Sequence, residues 1–564
     1  MPCHGATTQL ISCLIAKDCL QLGAVFSHPS LRTQQVYPGV GARYMKLFKY
    51  SFCQFNYRKY GKLTATPSSD FAKNSIIILE SFGGGVMFRK NNQLDIFSCM
   101  MYDAMIQKDH KLRRLNAACD LGFIDGLVEG TYAPSRRGAP GYDPSVLFKI
   151  LLLRRLYKLS LDKVLERCQC DVSFRWFAGL NVQDELPCKA TLSTFSRFRL
   201  DNARLRKVFN ETVRQAKALG LIRNTKLLVD GTVVKGNFAS RSQGKLIMIL
   251  AIRLLKTTDL WGEVPMPKAE SLEDRIGFGK ATLALLNTIE LTQRQQRKKS
   301  LLERFIQQQG CEDKIVHFKD EDARRTVRKD QNKVGYTTLI GMDSDSSIAT
   351  VIKTVPANRE EGQYLLPMVE EHVSLMGCKP DQVLADTAFG HGANLKSLFE
   401  QDILPLIPPR SSYTPGVFHR DQFAYDEESK TLRCPAGHTS TNQRPFRGGL
   451  QFRYSKKVCQ HCPLREQCTT SNHRRVEVSQ YNTEITRVNV LLDSKHDGYV
   501  KVRMKVEYKF AEAKRFYGLD TADGYDLESA ERQSLFTFAV TNMVKISTLL
   551  FGKGRVKSPL PHTL

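Results

Sequence analysis

From residue 120 to 217, apolar residues recur three and four positions apart, the period of helices that bury one face. In GAPGYDPSVLFKILLLRRLYKLSLDKVLERC, Asp143 stands where a helix cap belongs and Pro144 at the first helical position. CDVSFRWFAGLN closes another helix on a glycine. ATLSTFSRFRLDNARLRKVFNETVRQAKALGLI predicts a further long helical stretch, capped by Thr191 or Ser193. Several short helices carrying Arg and Lys suit a helix-turn-helix-like DNA-binding unit. They suit a helical bundle with solvated basic faces equally well.

The period then changes. KLLVDGTVV (226–234) reads as a strand, and 239–330 as a charged helical insertion with RQQRKKSLLERFIQQQ as its clearest helix. GYTTLIGMD (335–343), the turn DSDSS and IATVIKTV (348–355) form a hairpin pattern. A helix at 360–377, a short apolar strand at 382–386, the helix ANLKSLFEQD and the strand ILPLIP follow. Residues 410–490 are polar and turn-rich, and helices at 497–517 and about 529–550 close the chain. This order predicts an α/β fold: a mixed sheet flanked by helices, an all-helical N-terminal domain and a small Cys-rich β insertion.

At 564 residues the chain is long enough for two to four units, and 42% hydrophobic content supports packed cores. The expected divisions are a helical DNA-binding domain at 87–220 and the first part of a catalytic core at 221–410. A Cys-rich insertion at 411–490, the rest of the core at 491–552 and a basic tail at 553–564 complete them. Residues 1–86 lack a sustained period and are expected to be a translated upstream extension, or a disordered arm, with Met87 as the natural start. The N-terminus lacks a basic start, and Lys17 and Asp18 interrupt its apolar stretch, which argues against a signal peptide. No apolar run is expected to cross a membrane. With 83 Lys and Arg against 57 Asp and Glu, the net charge is +26, which favours a polyanionic partner. Most of the 15 cysteines are scattered, as in a reducing compartment.

Phosphodiester cleavage needs an attacking oxygen activated and a leaving oxygen stabilised. Two divalent cations about 4 Å apart do both, and hard cations prefer carboxylates. Asp230 ends the apolar run LLV and Asp386 ends VLA, each where a strand meets a polar turn. Asp343 also ends a strand, but DSDSS makes it a turn residue. A third carboxylate belongs on a helix. Arg503, Glu507 and Lys514 lie within roughly 40° of one another on one helical face. Glu507 can hold metal while Arg503 and Lys514 meet phosphate; the other reading is an exposed Arg503–Glu507 ion pair. Cys434, Cys459, Cys462 and Cys468 make a pattern for one structural Zn²⁺, with His438 and His461 as possible substitutes. The alternative is unliganded thiols.

Together these segments resemble bacterial insertion-sequence transposases of the DDE type over about residues 88–550. GYDPSVLFKILLLRRLYKLS, FRWFAGL and LPCKATLSTFSRFR look like that group's N-terminal domain, and LLVDGT and VLADTAFG like its first two Asp motifs. The group's helix signature is Tyr, two residues, Arg, three, Glu, six, Lys. Arg503, Glu507 and Lys514 fit it without a shift, whereas the Tyr position holds Val500, with Tyr499 one place early. NHRRVEV and FAVTNMVKI, with Asn542, also share its look, as does the CP…CxxCP…C segment. The resemblance implies an RNase H-like fold, Mg²⁺ or Mn²⁺ on Asp230, Asp386 and Glu507, cleavage at element ends and attack of the freed 3′-hydroxyl on target DNA. It implies double-stranded DNA as partner (terminal inverted repeats and target), a homo-oligomer on DNA, and a place in the bacterial cytoplasm with the nucleoid. The gaps of 156 and 121 residues between the three carboxylates imply insertions in both. Two rival readings are an RNase H-like nuclease that does not transpose and a catalytically dead, zinc-containing DNA-binding regulator.

Overall fold

The computed structural model describes residues 94–552, apart from 133–140, 268–270, 309, 312, 329–330 and 411–416. The expected extension at 1–86 and the basic tail at 553–564 lie outside the described residues.

The N-terminal region is helical: α1 (Ile96–Met105), α2 (Lys111–Ala118), α3 (Phe123–Val128), α4 (Pro144–Leu156), α5 (Leu161–Cys170), α6 (Val172–Ala178), α7 (Lys189–Thr194) and α8 (Asn202–Ala218). Local chemistry sets its boundaries. Asp143 accepts from the Ser145 amide with Pro144 in the first turn, and α6 stops at Gly179, whose φ of +80° suits glycine.

A six-stranded sheet follows, built from β1 (Lys226–Lys235), β2 (Arg324–Arg328), β3 (Gln331–Asp343), β4 (Ala349–Pro356), β5 (Gln382–Leu384) and β6 (Leu404–Leu406). Its order is β2-β3-β1-β5-β6, with β4 also on β3. β3 runs antiparallel to its neighbours, whereas β1, β5 and β6 are parallel. Between β1 and β2, α9 (Gln243–Thr257), α10 (Leu272–Leu286) and α11 (Gln293–Gln307) pack on a core of their own. α12 (Leu365–Met376) and α13 (Gly392–Glu400) link the later strands.

The Cys-rich segment makes two three-stranded sheets. One holds β7 (Ala424–Asp426), β8 (Thr431–Arg433) and β9 (Thr439–Ser440); the other holds β10 (Gln443–Phe446), β11 (Gly449–Arg453) and β12 (Arg475–Ser479). Between β11 and β12 lie the short helices α14 (Lys456–Gln460) and α15 (Arg465–Cys468). The long helices α16 (Asn482–Tyr517) and α17 (Leu527–Phe551) complete the fold.

Strand alternation gives the sheet two buried faces. Leu227, Val229, Leu339 and Val383 point into a core with Leu365, Val369 and Leu398 of α12 and α13. Leu228, Ile340, Leu384 and Leu406 point the other way, into a core that also holds Phe148, Phe209, Phe510 and Phe538. The N-terminal helices and the sheet therefore bury into the same interior.

Three elements differ from the sequence reading. The insertion at 239–330 is not helical throughout, because Arg324–Arg328 pairs with β3 as an extra strand. α16 begins at Asn482, well before 497. The polar run Asp493-Ser-Lys-His-Asp-Gly498 hides its period, while the buried Val488 anchors its first turns. Lastly, α17 is long and apolar enough to cross a membrane, although 61% of its most apolar window is buried within the protein. Its Asn542 finishes edge strand β4: Oδ1 accepts from the Ala349 amide at 2.9 Å and Nδ2 donates to the Ala349 carbonyl at 2.7 Å.

His372 of α12 is buried between Thr350 Oγ1 (2.8 Å) and Asn224 Oδ1 (2.6 Å), and burial lowers its pKa from 6.5 to about 4. The unfolded chain therefore binds the proton more readily, and stability falls as pH drops from about 6.5 to about 4. The expected loss is about 3 kcal/mol, read from urea midpoints, and His372→Gln should flatten that slope. An equally steep slope in the variant would assign it to other groups.

Candidate active site

Asp230 is read from the sequence as a strand-end residue. Instead it sits in the middle of β1, opposite Ile340, and only 8% exposed. The strand runs on through Gly231, where a side chain would have to push its neighbours aside. A Cβ there would meet Leu339 at 2.6 Å and the Glu361 carboxylate at 2.9 Å.

Asp386 lies two residues beyond β5. In the β1–β5 pairing, Lys226, Leu227 and Leu228 stand beside Gln382, Val383 and Leu384. The pairing stops there, and Asp386 follows two residues on, near enough to Asp230 for its charge to act on the Asp230 carboxyl. Both share the face of Leu228 and Leu384, the face that α16 covers. Past β5 the chain turns away, and Asp386 caps the turn at Thr387–Phe389 by accepting from the Ala388 amide at 2.9 Å.

α16 brings the rest. Tyr499, Arg503 and Glu507 follow one another at four-residue intervals and so form one stripe. The Tyr499 hydroxyl donates to the Ala385 carbonyl at 2.8 Å, next to Asp386, and Lys505 Nζ donates to the Ser344 carbonyl at 2.7 Å. These two bonds fasten the helix across the sheet. Arg503 lies 3.8 Å from Asp386 Oδ2, its one ion pair within 4 Å among the described residues, so the predicted Arg503–Glu507 pair does not form. The position expected for the tyrosine holds Val500, which is 42% exposed, while Tyr499 is buried and reaches the site. Tyr499→Phe would leave the Ala385 carbonyl buried and unpaired. The expected cost is about 1–3 kcal/mol in a urea titration; an unchanged midpoint would mean another group satisfies that carbonyl.

The groups sense one another. Burial pushes the Asp230 carboxyl up to about 6; the Gly231 amide opposes this, the charges of Asp386 and Glu507 add to it, and Arg503 counters it. Burial pulls the Arg503 guanidinium down, but Tyr499, Asp230 and Asp386 together hold its pKa above the usual value. The structure thus brings Asp230, Asp386, Glu507 and Arg503 together. Glu507 is exposed on its helix. Lys514 lies about 10 Å further along the axis, half-buried beside the carboxylates rather than among them. Asp343 closes the β3–β4 turn, with Oδ2 accepting from the Ser346 amide at 2.7 Å. Among the described residues, no three His, Cys, Asp or Glu close into a ready-made coordination sphere. Two neighbouring aspartates, one of them buried, still fit a divalent cation by donor type.

The four cysteines also converge. Cys434, Cys459, Cys462 and Cys468 line one cavity of about 20 Å³, room for a single small occupant, and His438 lines it too. His461 is not among its lining residues; its Nδ1 faces the Lys457 carbonyl at 2.9 Å. Gly437, at φ +86°, lets the Cys434–His438 loop close on itself. Burial raises the Cys468 thiol, Arg474 opposes it, and the other three cysteines add to the rise.

A mixed sheet crossed by a long helix, with carboxylates gathered where they meet, is an RNase H-like arrangement. Two family models match the chain. One, described as a transposase domain (DUF772), covers residues 100–200; the other, described as a transposase DDE domain, covers 306–543. Together they span more than half of the sequence, and the chain belongs to the insertion-sequence DDE transposases. It is a DNA transposase, an enzyme acting on DNA, from a family whose DDE domains use divalent metal ions. No curated protein matches it. Asp386, Arg503, Glu507, Lys514 and the four cysteines fall inside the DDE match, whereas Asp230 lies between the two matches.

Proposed function

We propose that Asp230, Asp386 and Glu507 hold the divalent cations, Mg²⁺ or Mn²⁺, that cut and join DNA in this transposase. The observation that carries the reading is the convergence of Asp230, Asp386 and Glu507 around Arg503, with Tyr499 pinning the α16 stripe beside Asp386. Bound there, the cations would activate the attacking oxygen and stabilise the leaving one. Arg503 orients Asp386 and offsets the crowded negative charge, Tyr499 fixes the height of the helix, and Lys514 faces phosphate beyond the carboxylates. In the first reaction water breaks a P–O bond at the element's end and frees a 3′-hydroxyl. In the second that hydroxyl forms a new P–O bond to target DNA, one target P–O bond breaks, and the leaving 3′-oxygen takes the proton.

The helical segment 87–220 would bind the terminal inverted repeats, with 221–410 and 491–552 forming the catalytic core. The insertion at 411–490 would hold one Zn²⁺ on Cys434, Cys459, Cys462 and Cys468. Such a protein works as a homo-oligomer on DNA in the bacterial cytoplasm, at the nucleoid. The test is strand transfer with terminal-repeat duplexes and Mg²⁺ or Mn²⁺. Joined products are expected. Cleavage without joining would favour a nuclease, and binding without cleavage a catalytically dead regulator.

A further inference from the structure

Five residues beyond Asp230, β1 ends at Lys235 beside a cavity of about 430 Å³. Lys235, Arg325 and Lys333 line it, with Asn332, Ser240 and Phe238, and no carboxylate does so among the described residues. None of the three cations forms an ion pair with a described residue. That is unusual beside the neighbouring Arg324, which binds Asp313 at 2.7 Å. The floor is rigid: the Lys235 amide donates to the Asp520 carbonyl at 3.1 Å, and its carbonyl accepts from the Ala522 amide at 2.8 Å. One wall is Phe238, stacked on His317 with ring centres 4.4 Å apart. His317 feels the surroundings: burial first, then the charges of Lys319, Arg241 and Arg253, hold its pKa down at about 4. The positive field thus extends past the cavity's own lining.

We infer that this cavity binds a phosphate of the DNA backbone on the flank of the active site. Three cations around one open pocket, none ion-paired among the described residues, match a phosphodiester anion, and neutral Asn332 and Ser240 offer further donors. Five residues of strand put Lys235 about 17 Å from Asp230, at the strand's end, close enough for one DNA duplex to meet both. The contact grips the backbone and reads no sequence.

The inference rests on the transposase reading, and salt-dependent binding separates the two. The full-length protein would be titrated, without divalent cations, against a fluorescein-labelled duplex of mixed sequence a few helical turns long, from about 50 to 200 mM KCl. For Lys235→Gln/Arg325→Gln/Lys333→Gln, the slope of log K against log [salt] is expected to become shallower by about 1 to 3. Affinity at about 0.1 M salt should fall about tenfold per lost contact. The charge-keeping variant Lys235→Arg/Arg325→Lys/Lys333→Arg should retain the wild-type slope. If the triple variant does not fold, Lys235→Gln and Arg325→Gln alone, at exposed positions, should each lower the slope by about 0.9. A wild-type slope in the Gln variants would overturn the phosphate site while leaving the transposase reading intact. No salt-dependent binding by the wild type would overturn both.

Discussion

Asp386→Asn protein is expected to bind terminal-repeat DNA and to join ends at least about 10³-fold more slowly than the wild type. The substitution keeps the shape, and the Asn side-chain oxygen can still accept from the Ala388 amide, so the turn at Thr387–Phe389 should survive. What it removes is one negative charge beside Asp230. A metal-held transition state is worth several kcal/mol, and each 1.4 kcal/mol is about tenfold in rate. Arg503 sharpens the contrast, because it lies 3.8 Å from Asp386 and would remain next to a neutral partner. Its charge would then oppose cation binding with less to offset it. Activity would be read as joined product per time at saturating Mg²⁺, with thermal unfolding as the control for folding. Joining at the wild-type rate by a folded variant would remove Asp386 from the site.

Much of this site was legible because its residue types are rare in their places. An Asp after an apolar strand run attracts notice, and so does a Glu flanked by Arg and Lys on one helical face. Yet the physical reason differs from the one read off the pattern. Asp230 does not end its strand. It interrupts the middle of one, and at Gly231, which follows, a side chain would have to push Leu339 and Glu361 aside. No local signal reveals that packing. Motif spacing points to Val500 for the tyrosine, whereas helix geometry tolerates either neighbour. A residue four before Arg503 lies only about 40° round the helix from it, and Tyr499 takes that place. β2 and the first turns of α16 stayed hidden because pairing with β3 and distant packing, rather than local period, create them. The basic cavity was invisible for a similar reason. Lys235 and Arg325 are brought together only when the whole helical insertion loops out between β1 and β2.

Removing the Zn²⁺ proposed at the four cysteines is expected to unfold the Cys-rich unit and spare the catalytic sheet. The two small sheets share one modest core of Phe423, Leu432, Phe452, Tyr454, Val476 and Val478, against which Cys434, Cys459 and Cys468 pack. Six buried side chains are too few to order some sixty residues unaided, and small domains of this kind generally need a metal or disulfides. The four cysteines are free thiols that line one cavity, where the proposed Zn²⁺ would brace them. A structural Zn²⁺ contributes on the order of 10 kcal/mol, enough to decide whether such a unit folds. None of those core residues belongs to the interiors on either side of the main sheet. α16 leaves β12 directly, but Tyr499 and Lys505 fasten it to the main sheet independently. Glu507 lies about 37 Å along the helix from Asn482, so loosening the first turns should not release it. Native protein is expected to carry one zinc per chain and Cys459→Ser far less. In hydrogen exchange, 417–479 should lose protection in the variant while 226–235 and 336–356 keep theirs. Full protection of 417–479 after complete removal of metal would show that the thiols brace nothing.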